Sequence, residues 1–141
     1  QFQNMKTFIL SIFFLSVFSF GFAQTGTGHK IVFQLTANDT LAHKALMKQL
    51  GNILTVAPDT KIEIVCHGPG LEMLQVEKSK VAEKVAAFSA KGVDFRACEF
   101  SMKERKVDKS QILPSAGFVE AGIIEIVSKQ EKGWSYIKAG F

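Results

Sequence analysis

The chain has 141 residues, 47% of them hydrophobic and 21% charged, with a formal net charge of +4. That length holds one domain rather than two, and the composition excludes a disordered, collagen-like or acidic-tail protein. The charge is mild and scattered, and its one basic run, Lys103, Arg105, Lys106 and Lys109, is broken by Glu104 and Asp108, so it reads as a solvated face and not as a nucleic-acid surface.

The first segment is an address. Seven of the 13 Phe lie before Gln24. From Met5 the chain runs through Lys6, an apolar stretch from Phe8 to Phe22, and small residues Gly21 and Ala23 ahead of a cut, which is the pattern of a secretory signal peptide over residues 5–23. Residues 1–4 stand upstream of it. The apolar stretch falls short of the roughly 20 residues that span a bilayer, and no Cys follows Ala23 for lipid attachment. The expectation is an exported protein, periplasmic or secreted, with a single domain over residues 24–141 and no membrane partner once the leader is cut.

Along that domain, His29 to Thr36 is a β-rich run apolar on both faces, as in a strand covered on both sides of a parallel sheet. Asn38, Asp39 and Thr40 supply capping side chains for a helix from Leu41 to Val56 with Ala42, Leu46, Leu50 and Ile53/Leu54 inward. Pro58-Asp59 ends it. Lys61 to His67 is a second strand, and Gly68-Pro69-Gly70 turns the chain. A second helix spans Glu77 to Lys91 with Val81, Val85 and Phe88 inward and Gly92 closing it. Val93 to Glu99 forms a third strand, and Ser101 to Leu113 is polar and partly helical before Pro114. Phe118 to Ala121 is a short fourth strand. Gly122 to Glu131 is a helix with Ile123, Ile124 and Val127 inward, and Trp134 to Lys138 is the last strand. Alternation of strands and helices implies right-handed crossovers and one mainly parallel five-stranded sheet in a three-layer α/β/α, flavodoxin-like arrangement of order 2-1-3-4-5.

In open α/β sheets ligands gather at the carboxyl ends of the strands. This rule selects Asn38 and Asp39 after the first strand, His67, Gly68 and Gly70 after the second, Cys98 and Glu99 at the third, and Glu120 at the fourth. Cys98 has two readings. Before a helix start, with Lys103 and Arg105 near in sequence, its thiolate would be stabilised; alternatively it is inert packing. His67 is either a proton donor or acceptor at the pocket or a plain strand-end polar residue. Cys66, inside a strand, reads as core packing. In the expected strand order two inter-strand spacings separate Cys66 from Cys98, beyond the roughly 7 Å a disulfide tolerates. The Gly68-Pro69-Gly70 turn matches neither GxGxxG nor the P-loop, so no nucleotide cofactor is called for. His29, His43 and His67 are not at metal-ligand spacing, there is no nucleophile elbow, and the absence of CxxC weakens a thiol–disulfide oxidoreductase reading.

The segments IVFQLT, VCHGPG, GVDFRAC and LPSAGFVEAGIIEIVSKQEKGWSYIK, in that order, resemble the DsrE/DsrF-like family over nearly all of residues 24–141. The resemblance implies a small flavodoxin-like protein that assembles as a homo-oligomer, a trimer or hexamer. It also implies sulfur carried as a persulfide on one Cys, as in DsrE- and TusD-type subunits. Cys98 falls where that Cys is expected. Relay-type carriers work inside the cell, so the export signal removes tRNA thiolation, and Cys66 has no family counterpart. The expectation is therefore an exported protein that accepts sulfane sulfur on Cys98, with His67 and the Asn38/Asp39 loop lining the pocket, a sulfur donor or acceptor protein as partner, and no resident cofactor, metal or nucleic acid. The other reading is a non-catalytic oligomeric module binding a small ligand or partner, with Cys98 as packing. Trp134, Tyr136 and Phe141 on the aromatic C-terminal strand are candidates for subunit contacts.

Overall fold

Five short strands pair side by side in parallel, and the helices between them decide which face of the sheet each crossover covers. The structure, a computed structural model, describes residues 28–140; the expected leader and Phe141 lie outside the described residues. The strands are β1 (Lys30–Leu35), β2 (Lys61–Cys66), β3 (Asp94–Cys98), β4 (Gly117–Val119) and β5 (Ser135–Ala139). The helices are α1 (Thr40–Val56), α2 (Ala82–Ala90), α3 (Glu99–Glu104) and α4 (Gly122–Glu131), with 3-10 turns at Gly68–Leu74 and Lys109–Gln111.

The α/β class, the parallel sheet and the alternation are as the sequence implies. The order is β4-β3-β2-β1-β5. It differs from 2-1-3-4-5 in two neighbours: β2 rather than β1 pairs with β3, and β5 pairs with β1 rather than β4. Hydrophobic patterning states how buried a strand is but not which strand lies next to it. Burial still fits the outcome, since β2 is buried at every position after Lys61 and takes the centre, whereas β5 is exposed up to Ala139 and takes an edge.

This order divides the helices unequally. Three successive steps from β1 to β4 run in one direction, and right-handed crossovers put α1, α2 and α3 on one face. The return from β4 to the far side of β1 puts α4 alone on the other, where it lies across β1, β2, β3 and β5. The first face carries the main core: Phe33, Leu35, Ile64, Cys66, Phe95 and Ala97 from the sheet, against Leu46, Leu50, Val85 and Met102 from the helices. Each of the Phe, Leu, Ile, Val and Met side chains among them contributes roughly 1.5–3 kcal/mol by leaving water. The second face has an apolar cluster of Val32, Val65 and Ile126, with Val119 and Trp134 against it.

Several sequence expectations shift in detail. Asp39 caps α1 as expected, its Oδ1 accepting from the Leu41 N–H at 2.9 Å. The second helix starts at Ala82, not Glu77. Its first expected turn, around Glu77 and Lys78, is held outside the helix by a Gln75–Ile112 bridge and by the Val76 N–H donating to Gln111. The largest correction is α4, where Ile123, Ile124 and Val127 face solvent while Gly122 and Ile126 face the sheet. The strands below offer polar side chains, so the helix turns its small residue and its Lys129 inward instead of its apolar stripe.

The two cysteines are free. Strand adjacency does not keep them apart, as the expected order suggested, because β2 and β3 are neighbours. Cys66 pairs in register with Ala97, so Cys66 and Cys98, one residue further on, project from opposite faces.

Candidate functional site

Alternation along β3 turns Asp94, Arg96 and Cys98 toward α4 and Phe95 and Ala97 toward the main core. Cys98 is the last strand residue and the N-cap of α3. The residue is 4% exposed, and its sulfur sits under the first turn of α4. The Gly122 N–H donates to Sγ at 3.3 Å, and the Cys98 S–H reaches the Glu120 carbonyl at 3.9 Å. That carbonyl also accepts from the Phe100 N–H at 3.1 Å, which pins the turn before α4 to the start of α3. A backbone N–H at a helix start favours negative charge on sulfur. The helix involved is α4, whose N–H reaches the sulfur, and not the helix that follows β3. Of the two expected cationic neighbours, Lys103 is exposed on α3 and Arg105 lies 3.5 Å from Glu72.

His67 follows directly on β2, adjacent to β3. A Cβ on Gly122 would stand 3.3 Å from both the Cys98 and the His67 Cβ atoms and 3.1 Å from Val65 Cγ1. Glycine thus lets the helix start approach both side chains at once. The His67 Nε2 receives a hydrogen bond from the Gln34 amide at 2.7 Å, and the Tyr136 hydroxyl donates to the Oε1 of the same Gln34. Burial holds the His67 pKa below its ordinary value. Cys98, His67, Gln34 and Tyr136 therefore form a polar row that crosses β3, β2, β1 and β5 under one end of α4.

The other expected residues take supporting places. Gly68 adopts a left-handed φ of 53°, and its N–H donates to Ser101 Oγ at 2.8 Å. The Gly70 N–H returns to the His67 carbonyl at 3.1 Å, and a Cβ there would stand 2.2 Å from the Leu35 carbonyl oxygen. Both glycines shape the turn that carries His67, and their N–H groups are used within the chain. Glu120 serves through its backbone carbonyl while its side chain is exposed. Asn38 and Asp39 lie exposed after β1; among the described residues no hydrogen bond joins them to Cys98 or His67, and the Asp39 carboxylate caps α1.

Sequence reasoning missed Gln34, Tyr136, Gly122 and Ser101. Gln34 left a signal, as the one polar residue between Ile31 and Leu35 in a strand whose two faces otherwise read apolar. Toward the other end of α4, Lys129 pairs with Glu63, which is 1% exposed, and with Glu125 at 3.5 Å. Burial pushes the Glu63 carboxyl up, against the pull of Lys129, and among the described residues its Oε1 has no hydrogen-bond partner. Cys66, on the opposite face, is wholly buried, which drives its thiol pKa far up. Among the described residues no three metal-ligating side chains cluster, and no helix is long and apolar enough to cross a membrane. A recess of about 530 Å³ at the start of α2 is lined by Lys44, Ser79 and Lys80 to Lys84, none of them a site residue.

The model of the DsrE/DsrF-like family matches residues 25–139, which include every element described above. The chain belongs to the DsrE/DsrF-like family. A solved structure, that of a protein of unknown function from Methanobacterium thermoautotrophicum, is 25% identical and superposes with a TM-score of 0.74, covering 78% of this chain and 98% of its own. No curated protein matches. In this DsrE-family chain the strand-end thiol, the helix start above it and the adjacent imidazole form one unit. Within it one backbone N–H, that of Gly122, is directed at the sulfur. It is not a dithiol redox pair, since the second cysteine faces the opposite side of the sheet.

Proposed function

We propose that this chain is an exported DsrE-family protein that accepts and holds sulfane sulfur as a persulfide on Cys98. The observation that carries the reading is the Gly122 N–H aimed at Cys98 Sγ from the start of α4. In the step, the Cys98 proton leaves to solvent and the thiolate attacks a sulfane sulfur of a polysulfide. A new S–S bond forms to Cys98, the S–S bond within the polysulfide breaks, and its electron pair departs with the shortened polysulfide anion. The transfer needs no external oxidant or reductant. The resulting terminal persulfide anion would keep the helix-start donor that served the thiolate. Export rests on the sequence pattern of residues 5–23, and a donor or acceptor protein would be its partner.

Mass measurement after incubation with polysulfide tests this. Wild type gains sulfur mass and Cys98→Ser does not; no gain on wild type, or equal gain on the variant, sinks the proposal. A second reading draws on the 4% exposure of Cys98: a non-catalytic binding module in which the thiol only packs. In that case Cys98 alkylates no faster than an unperturbed thiol with a pKa near 8.5.

We further propose a homo-oligomer, a trimer or hexamer. Its support is the exposed stripe Ile123, Ile124 and Val127 on α4, together with Tyr136 and Ile137 on the edge strand β5. Apolar surface of this kind on a small domain favours shared burial. Sedimentation that finds only monomer at micromolar concentration overturns this.

A further inference from the structure

We propose that Gln34 and Tyr136 are positioning residues that hold His67 neutral beside Cys98, with the ring proton on Nδ1. This deepens the reading of Cys98 as the reactive thiol and rests on it. The Gln34 amide nitrogen can only donate. It lies 2.7 Å from His67 Nε2, so that nitrogen must supply a lone pair, and the proton of the neutral ring sits on Nδ1. Turning the amide over would make the Tyr136 hydroxyl an acceptor; a phenol is the better donor, and the sense in which it donates to Oε1 is the one the amide holds. Protonating His67 would set an Nε2–H against the amide N–H, donor to donor, in a place where burial already disfavours the charge.

The other titratable groups on the elements around His67 leave this arrangement in control. They are Glu63 on β2, Asp94, Arg96 and Cys98 on β3, Glu99 on α3, the exposed Glu120 before α4, Glu125 and Lys129 on α4, and Lys138 beside Tyr136 on β5, with Arg96 paired to Asp94 and Lys129 to Glu63. Glu125 is engaged with Lys129 and Glu99 with Lys109. Among the described residues no hydrogen bond joins His67 to Cys98. With the proton on Nδ1 and the Nε2 lone pair engaged by Gln34, the ring has no free lone pair to take the thiol proton. Its neutrality withholds a positive charge from Cys98 and leaves the Gly122 N–H as the donor that activates the sulfur. Because Tyr136 stands on the exposed edge strand, the hydrogen-bonded row runs from that edge to the ring of His67.

Nitrogen-detected NMR of His67 in the full chain reads the tautomer directly. At pH 7 wild type shows Nδ1 protonated and Nε2 bare, and Tyr136→Phe introduces an Nε2–H population. Gln34→Glu supplies an acceptor where the amide donates, so it raises the His67 midpoint by about one unit or more. It also speeds Cys98 alkylation at pH 6.5 by at least about threefold, as a nearby cation favours thiolate. An Nε2–H tautomer in wild type, or an unmoved midpoint in a folded Gln34→Glu protein, overturns the proposal. The wild-type tautomer alone decides if the variants fail to fold. The tautomer is read without any sulfur donor, so a wild type that takes up no sulfur removes the function proposed for Cys98 separately.

Discussion

The two faces of the sheet are built on different terms. One is covered by α1, α2 and α3 and closed with Phe, Leu, Ile and Met side chains; the other has α4 alone above Glu63, Arg96, His67, Gln34 and Cys98. Parallel strands are normally apolar on both faces. Here the departure from that rule coincides with the candidate site. The thickly covered face provides the stability that lets the other face hold polar groups with few apolar neighbours. The cysteines show the contrast within one element pair: Cys66 and Cys98 lie on adjacent strands, yet one is core and the other meets a helix start.

Substitutions on each side should separate the two roles. Phe95→Ala, in the covered core, should cost about 3–5 kcal/mol through lost burial and the cavity it leaves, measured by urea unfolding. On the other face, Lys129→Met strands the Glu63 carboxylate, at a cost of about 2–3 kcal/mol near pH 7, discounted because Lys129 is partly exposed. The Glu63 pKa is raised in the fold, so its contribution is present below the ordinary carboxylate range and is lost as pH rises through the folded value. The cost of Lys129→Met should therefore shrink as pH falls toward 4. A cost that stayed constant with pH would show that Glu63 is not the group left unpaired.

Gly122→Ala should destabilise by about 1 kcal/mol despite the better helix propensity of Ala, because the new methyl meets Val65, Cys98 and His67 at 3.1–3.3 Å on strand-anchored atoms. A stabilised variant would mean that α4 moves away freely and that its contact with the thiol is loose. Smallest is the pH effect of His67. Its folded pKa lies below 6.5, so its contribution is present above that value and declines as pH falls through it toward the folded value. His67→Gln should flatten the stability profile below pH 6.5, and an unchanged profile would remove His67 as its source.

The elements were legible in the sequence because each carries its own period and punctuation: Asp39 before α1, Gly92 after α2, Gly133 after α4. Strand order was not, because β2 and β1 carry the same kind of apolar pattern and neither names its neighbour. The outward turn of Ile123, Ile124 and Val127 was hidden for a related reason. A helix pattern identifies an apolar stripe, and only the sheet beneath, with Glu63 and Arg96, shows that the stripe has no place there. Of the candidate site, Cys98 and His67 were readable from their positions at strand ends. The donors that act on them, Gly122 and Gln34, come from elements far away in sequence and become visible only once β1, β2 and β3 lie side by side.

The two cysteines differ because they face different environments, Cys66 in the covered core and Cys98 under a helix start. The most direct test is alkylation of the native protein followed by mapping of the modified residue over time. Cys98 should label while the protein stays folded, and Cys66 only at the rate of global unfolding. Equal rates for the two, or labelling of Cys66 first, would contradict the division between the faces and with it the assignment of Cys98 as the site.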